Sequence, residues 1–213
     1  MRARSPVEKI IFGEYKTMTA VAAVTYADLA LGLQASTGKG AKACPITGIG
    51  GAAVLWAPPG TRAVAFEPRP YGEVTLAEVN RVNLVMRTGD VAMVRAVKDL
   101  DAWAVVAAAE ASERLFGREL TAAEVFERYS PMLKLSDKWE PTFKAKINLA
   151  GRGAVKIWTP DGQRRDVPAT WVGLEVRPQL TIKGMWFVGA GFGLTVECAD
   201  LQLTDRSEAQ CPF

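Results

Sequence analysis

Between Pro141 and Ala150 the chain alternates residue by residue: Phe143, Ala145, Ile147 and Leu149 are apolar, and Lys144, Lys146 and Asn148 stand between them. A period of two sends successive side chains to opposite faces of a strand, so this segment makes a β-strand with one buried face and one basic face. The downstream sequence repeats the device. Gly151-Arg-Gly153 makes a turn, and in Ala154–Thr159 the pair Lys156 and Trp158 shares one face while Val155 and Ile157 take the other. Pro160-Asp-Gly162 is a hairpin turn. A long strand follows from Leu174 to Phe187, with Leu174, Val176, Leu180, Ile182 and Trp186 on one side and Arg177, Thr181, Lys183 and Phe187 on the other. Pro178 marks an edge or a bulge. Gly189-Ala-Gly191 turns the chain back into Phe192–Leu203, where the apolar phase slips between Cys198 and Leu201, so a bulge is expected near Ala199–Asp200.

Upstream, Val7–Phe12, Thr19–Thr25, Ala52–Ala57, Arg62–Phe66 and Val82–Met86 read as short strands punctuated by Gly and Pro. Then the period changes. From about Val97 to Phe116, Leu100, Trp103, Ala104, Ala107, Ala111 and Leu115 recur at helical spacing and Gly117 ends the helix, which makes Trp103 a core residue. Thr121-Ala-Ala-Glu124 is a capping box opening a shorter helix that runs to Tyr129. The segment Ser36-Thr-Gly-Lys-Gly-Ala-Lys42 resembles a phosphate loop only superficially. The glycine spacing is wrong and Lys39 precedes Gly, so it reads as a surface turn whose two lysines could touch a phosphate backbone non-specifically.

The fold class that follows is mainly β with a helical insertion (α+β): an OB-like five-stranded Greek-key barrel with an additional β-rich N-terminal region. The strand pattern by itself also admits other small barrels and sandwiches. Residues 1–80 are expected to pack with the barrel or complete it, residues 81–204 to form its core with the insertion at about 97–130, and residues 205–213 to form a tail.

The chain has no histidine and three widely spaced cysteines, Cys44, Cys198 and Cys211. Histidine-based nucleophilic and acid/base catalysis and nearly all zinc chemistry are thereby excluded. Cys198 falls in an apolar strand pattern and reads as a buried thiol. Glu110/Glu113 and Glu124/Glu127 read as solvated helix faces, not as a carboxylate cluster. The expectation is a non-enzyme without metal or cofactor. No apolar run reaches the ~20 residues of a membrane helix, and the basic start lacks the apolar stretch of a signal peptide, so an intracellular, reducing compartment is expected and no membrane partner.

Charge is segregated. The net charge is only +3, but Lys134–Phe187 carries ten Lys/Arg against five acids and four of the six tryptophans. Positive charge interleaved with large rings is the pattern of a groove that follows a phosphate backbone and stacks bases. The candidate nucleic-acid-binding residues are Lys138, Trp139, Lys144, Lys146, Arg152, Lys156, Trp158, Arg164, Arg165, Trp171, Arg177 and Lys183. Trp158 is either barrel packing or a stacking platform, and Trp139 is equally open. Trp171 sits in a loop as an exposed ring that needs a reason. Trp186 follows the apolar phase of its strand and reads as core.

The order of features from Val82 onward resembles the single-stranded DNA-binding proteins of tailed phages and of nucleocytoplasmic large DNA viruses. The residues that carry the resemblance are the strand Val82–Met86, the helical insertion, Pro141-Thr-Phe-Lys-Ala-Lys-Ile147, Val155-Lys-Ile-Trp-Thr-Pro-Asp-Gly162, Arg165-Asp-Val-Pro168 and the long pair Leu174–Trp186 and Phe192–Glu197. It implies an OB fold that coats single strands in replication, recombination or repair. Single-stranded DNA is then the partner, with RNA and a homo-oligomer left open. It also implies a terminal aromatic, here Phe213, that meets replication or recombination enzymes. The family's tail is usually a long acidic run, whereas here only Asp200, Asp205 and Glu208 are acidic, with Arg206 among them. The alternative function is a non-catalytic viral structural or scaffold protein that uses the same barrel for protein contacts.

Overall fold

The computed structural model describes residues 20–21, 26–38, 40–58, 60–68, 81–151 and 153–204. The strand expected at Val7–Phe12, most of the one at Thr19–Thr25, and the tail from 205 onward lie outside the described residues. In chain order the strands before the insertion are β1 (Ala20–Val21), β2 (Ala30–Leu31), β3 (Ala35–Gly38), β4 (Ala41–Thr47), β5 (Val54–Trp56), β6 (Arg62–Ala63) and β7 (Arg81–Arg87). The insertion holds α1 (Val91–Glu110), α2 (Ser112–Phe116) and α3 (Ala122–Phe126). After it come β8 (Tyr129–Ser130), β9 (Leu133–Lys134), β10 (Thr142–Asn148), β11 (Lys156–Trp158), β12 (Arg164–Arg165), β13 (Glu175–Val188) and β14 (Gly191–Thr204). No helix among the described residues is long and apolar enough to cross a membrane.

Five of these strands close on themselves. β7 pairs antiparallel with β10, β10 runs parallel to β14 at Lys146↔Glu197, β14 pairs antiparallel with β13, and β13 pairs antiparallel with β6. The bridge Val64↔Met86, just past β6, returns the ring to β7. The spatial order is therefore first, second, third, fifth, fourth, the OB-like Greek-key barrel expected. Its interior holds the apolar phase of each strand: Leu84 and Met86, Phe143 and Ile147, Leu180 and Ile182, Val196 and Leu201 are all buried. Removing each such side chain from water stabilises the barrel by about 1.5–3 kcal/mol.

Two bulges set which residues face outward. Opposite Gln179 and Leu180, Ala199 is the extra residue on β14, which is the slip read from the sequence. The second lies on β13 itself: Ile182 pairs with Val196 and Gly184 with Thr195, so Lys183 is extra. One inserted residue reverses every later side chain. Met185 and Phe187 consequently point into the core, at 1% and 6% exposure, and Trp186 turns to the outer face. The expected assignment of Trp186 to the core and Phe187 to the outside is thus inverted.

The insertion begins earlier than its alanine pattern, because Asp90 caps α1 by accepting the Ala92 N–H at 2.8 Å. Met93, Val97, Leu100, Ala104, Val105 and Ala108 form its buried stripe. Gly117, at φ 76°, ends α2, and the capping box of Thr121 and Glu124 opens α3. That helix stops at Phe126 and not at Tyr129, because Tyr129 and Ser130 pair with Phe192 and Gly193 of β14. The rings of Phe116, Tyr129, Phe187 and Phe192 then cluster with centroids 5.1–5.8 Å apart, which fastens the insertion to the β13–β14 hairpin.

Candidate nucleic-acid groove

An open groove of about 760 Å³ lies across β4, β7, β10, β13 and β14. The alternation of each strand supplies it. On β7 the outward residues Arg81 and Asn83 pair in register with Asn148 and Lys146 of β10, and Lys144 lies two residues along from Lys146. On β13 the bulged Lys183 and then Trp186 face the same way, with Thr195 beside them on β14. Lys42 enters from β4, opposite Phe187. β4 lies close to β13 because Gly184 has no side chain, and a Cβ there would collide with the Cys44 carbonyl.

Among the described residues, five cationic side chains, Lys42, Arg81, Lys144, Lys146 and Lys183, therefore line one groove with a half-buried indole. An acid stands against two of these cations. Glu197 on β14 pairs with Arg81 and with Lys183, the latter at 3.5 Å. Lys146 is half-buried, and desolvation first, then the Arg81 and Lys144 charges, pull its ammonium below the ordinary lysine range. Its charge is held at a cost that an incoming anion would relieve. The Trp186 indole sits over Gly193, where an added Cβ would meet Cζ2 at 2.8 Å. Glycine is what lets the ring settle against the sheet.

Of the residues picked from sequence, Lys144, Lys146 and Lys183 come together here. Lys156, Trp158, Arg164, Arg165 and Arg177 gather elsewhere, where β11 and β12 flank the last part of β14. Lys156 is in register with Asp200, and Trp158 and Arg177 both with Gln202. Trp158 pairs with Arg164 and Ile157 with Arg165. The Trp158 indole N–H donates to the Asp200 carboxylate at 2.9 Å, so the ring is half-buried and anchored. Lys138 and Trp139 lie exposed on the loop between β9 and β10, with Trp139 74% exposed.

Trp171 departs from the expectation of an exposed ring. It is 4% exposed, because the Glu67 carboxylate accepts its backbone N–H at 2.9 Å and that of Val172 at 2.9 Å, folding the loop inward. Its faces are not open to a base. Arg152 and Phe213 lie outside the described residues.

The sequence reading left Lys42, Arg81 and Trp186 out of the site. Arg81 had a signal, since Arg81, Asn83, Val85 and Arg87 form the outward phase of β7. Lys42 was visible only as a lysine on a glycine-rich turn, which the structure makes the tip of the β3–β4 hairpin.

Neither described thiol is exposed. Cys44 and Cys198 are both buried, and burial raises both thiols above the usual range.

A mainly β, OB-like barrel with a helical insertion, carrying a basic groove with an indole in it, is the class that fold and site define. Among solved structures the chain is similar to that of gp2.5, a single-stranded DNA-binding protein encoded by bacteriophage T7. The identity is 15% and the TM-score 0.41, over 68% of this chain and 90% of that one. No family model matches the sequence, and no curated protein matches it.

Proposed function

We propose that this chain binds single-stranded DNA along the groove that runs over β7, β10 and β13. The observation that carries this reading is the convergence of Lys42, Arg81, Lys144, Lys146 and Lys183 with the Trp186 ring on one open face. The second and third strands of an OB barrel, β7 and β10 here, are the face on which such barrels bind oligonucleotides. Cations spaced along the groove attract successive phosphates without reading sequence. A ring beside them rewards an unpaired base by about 1–3 kcal/mol, a gain that a duplex, with its bases already stacked, cannot collect. The role proposed for the groove is binding. Coating and protecting single strands during replication, recombination or repair, inside a cell, is the setting this chemistry suits.

Titration with oligo-dT tests the reading. Intrinsic fluorescence is expected to be quenched by oligo-dT and far less by a duplex of equal length, with affinity falling steeply as salt rises. Equal or tighter binding of the duplex at moderate salt would overturn it. Running oligo-U beside oligo-dT decides between DNA and RNA.

A further inference from the structure

We infer that Glu197 is a built-in competitor for the phosphate backbone, a carboxylate that holds two of the groove's five cations until a strand displaces it. The inference rests on the reading of the groove as a single-strand site. Glu197 stands on β14 between β10 and β13, in register with Lys146 on one side and Thr181 on the other. Its two oxygens divide the work: Oε1 meets Arg81 and Oε2 meets Lys183. Only 21% of its side chain is exposed, whereas those of Arg81 and Lys183 are 46% and 50% exposed. The acid is therefore set beneath the two cations, whose outer sides remain open to the groove.

A groove built for phosphates gains nothing in raw affinity from an acid in its floor. Its effect is on the exchange. The strand sheds its condensed counterions in proportion to the net positive charge that meets it, and the carboxylate lowers that net charge by one. The single charge of Glu197 offsets one of the two cations, so Arg81 and Lys183 together count as about one positive charge in the salt dependence. The consequence is a single-strand binder whose grip is weaker but less sensitive to ionic strength, and which lets go of a strand by re-forming two internal ion pairs. Lys146, whose proton affinity burial and the Arg81 and Lys144 charges lower, is the register neighbour of Glu197 on β10.

The variant Glu197→Gln keeps the side chain's size and removes its charge. Binding of fluorescently labelled oligo-dT, measured by anisotropy across a salt series, is expected to tighten on the order of 10-fold at low salt. The slope of log K against log salt should steepen by about 0.7, the one unit of charge that Glu197 withholds. In a second arm, Arg81→Gln is expected to cost little in the native background and several-fold more in the Glu197→Gln background. Weaker binding by Glu197→Gln, or an unchanged slope, would overturn the inference, since either means that Glu197 merely positions the cations. The double variant Lys144→Ala/Lys146→Ala, run alongside, separates the two readings. If it leaves oligo-dT binding intact, the groove itself is misassigned. If it weakens binding while Glu197→Gln changes nothing, only the competitor role fails.

Discussion

The indole of Trp186 on β13 lies over Gly193, its register partner on β14, so closely that a Cβ on Gly193 would stand 2.8 Å from Cζ2 and 3.0 Å from Cε2. The Ser130 carbonyl, 3.0 Å from the same point, closes the other side. Gly193→Ala must therefore displace either the ring or the β8 backbone, at a stability cost of about 1–3 kcal/mol. Trp186→Ala tests the ring alone and is expected to weaken oligo-dT binding by about 1–3 kcal/mol, with Trp186→Phe retaining part of it. Urea unfolding and fluorescence titration on the same samples separate the two effects. Full-strength binding by Trp186→Ala would mean that no base stacks on this ring.

Lys146, half-buried on the groove face of β10, should make binding depend on pH. Burial and the Arg81 and Lys144 charges lower the proton affinity of Lys146. A bound phosphate restores it, so binding takes up protons once the free protein has begun to lose this one. Oligo-dT affinity is expected to decline with rising pH before pH 10.5, the value of an ordinary lysine. Lys146→Arg, whose charge does not titrate in this range, should flatten that decline. Identical pH profiles for native protein and Lys146→Arg would remove Lys146 from the phosphate path.

What the sequence made legible followed from how far each signal reached. Alternation in β10 put Lys144 and Lys146 on the outer face, where the structure has them, because a strand's two faces are set by its own residues. The bulge at Ala199 was readable for the same reason: the apolar phase visibly slips. The bulge at Lys183 left no such trace. Met185, Trp186 and Phe187 are all apolar, so either phase satisfies a core, and only pairing with Val196 and Thr195 decides which ring turns out. Lys42 and Arg81 join the groove through pairings with Phe187 and Asn148, far off in sequence, which no local pattern encodes. Trp171 was misjudged because its burial depends on Glu67, some hundred residues away.

Glu67 and Trp171 define a structural loop whose disruption should leave the groove's chemistry intact. The carboxylate receives two backbone N–H groups, from Trp171 and Val172. Glu67→Ala leaves those donors without their partner and is expected to cost about 1–3 kcal/mol in urea unfolding. Trp171→Ala empties a buried site and should cost about 3–5 kcal/mol. Where these variants remain folded, oligo-dT affinity and its salt slope should match those of the native protein. Selective loss of binding in a fully stable Trp171→Ala would return this ring to the list of base contacts.

The hydrogen bond from the Tyr129 hydroxyl to Asp101, 2.5 Å long, ties β8 to α1 and gives the protein a defined alkaline limit. Burial raises the Tyr129 phenol above its ordinary value of 10.0, and the Asp101 charge adds to that. Asp101 is itself raised, chiefly by burial, although bonds from Tyr129 and Met132 pull it back. A raised value means the folded state holds the proton more tightly than the unfolded chain. For Tyr129 the associated stability is complete below pH 10.0 and is lost as pH climbs beyond it, at about 1.4 kcal/mol per pH unit. The buried Cys198 thiol has the same sign, with its loss beginning near 9.0. Tyr129→Phe removes one of these two proton sites and also strips Asp101 of a partner. At neutral pH it should therefore lower stability by about 1–3 kcal/mol. From pH 10 upward its stability should fall less steeply than that of the native protein, and the two curves should converge. Denaturant unfolding of both proteins at pH 7, 9, 10 and 11 measures this directly. Parallel curves over that range would mean that Tyr129 ionises as easily folded as unfolded, and that its bond to Asp101 is not what holds the insertion on the barrel.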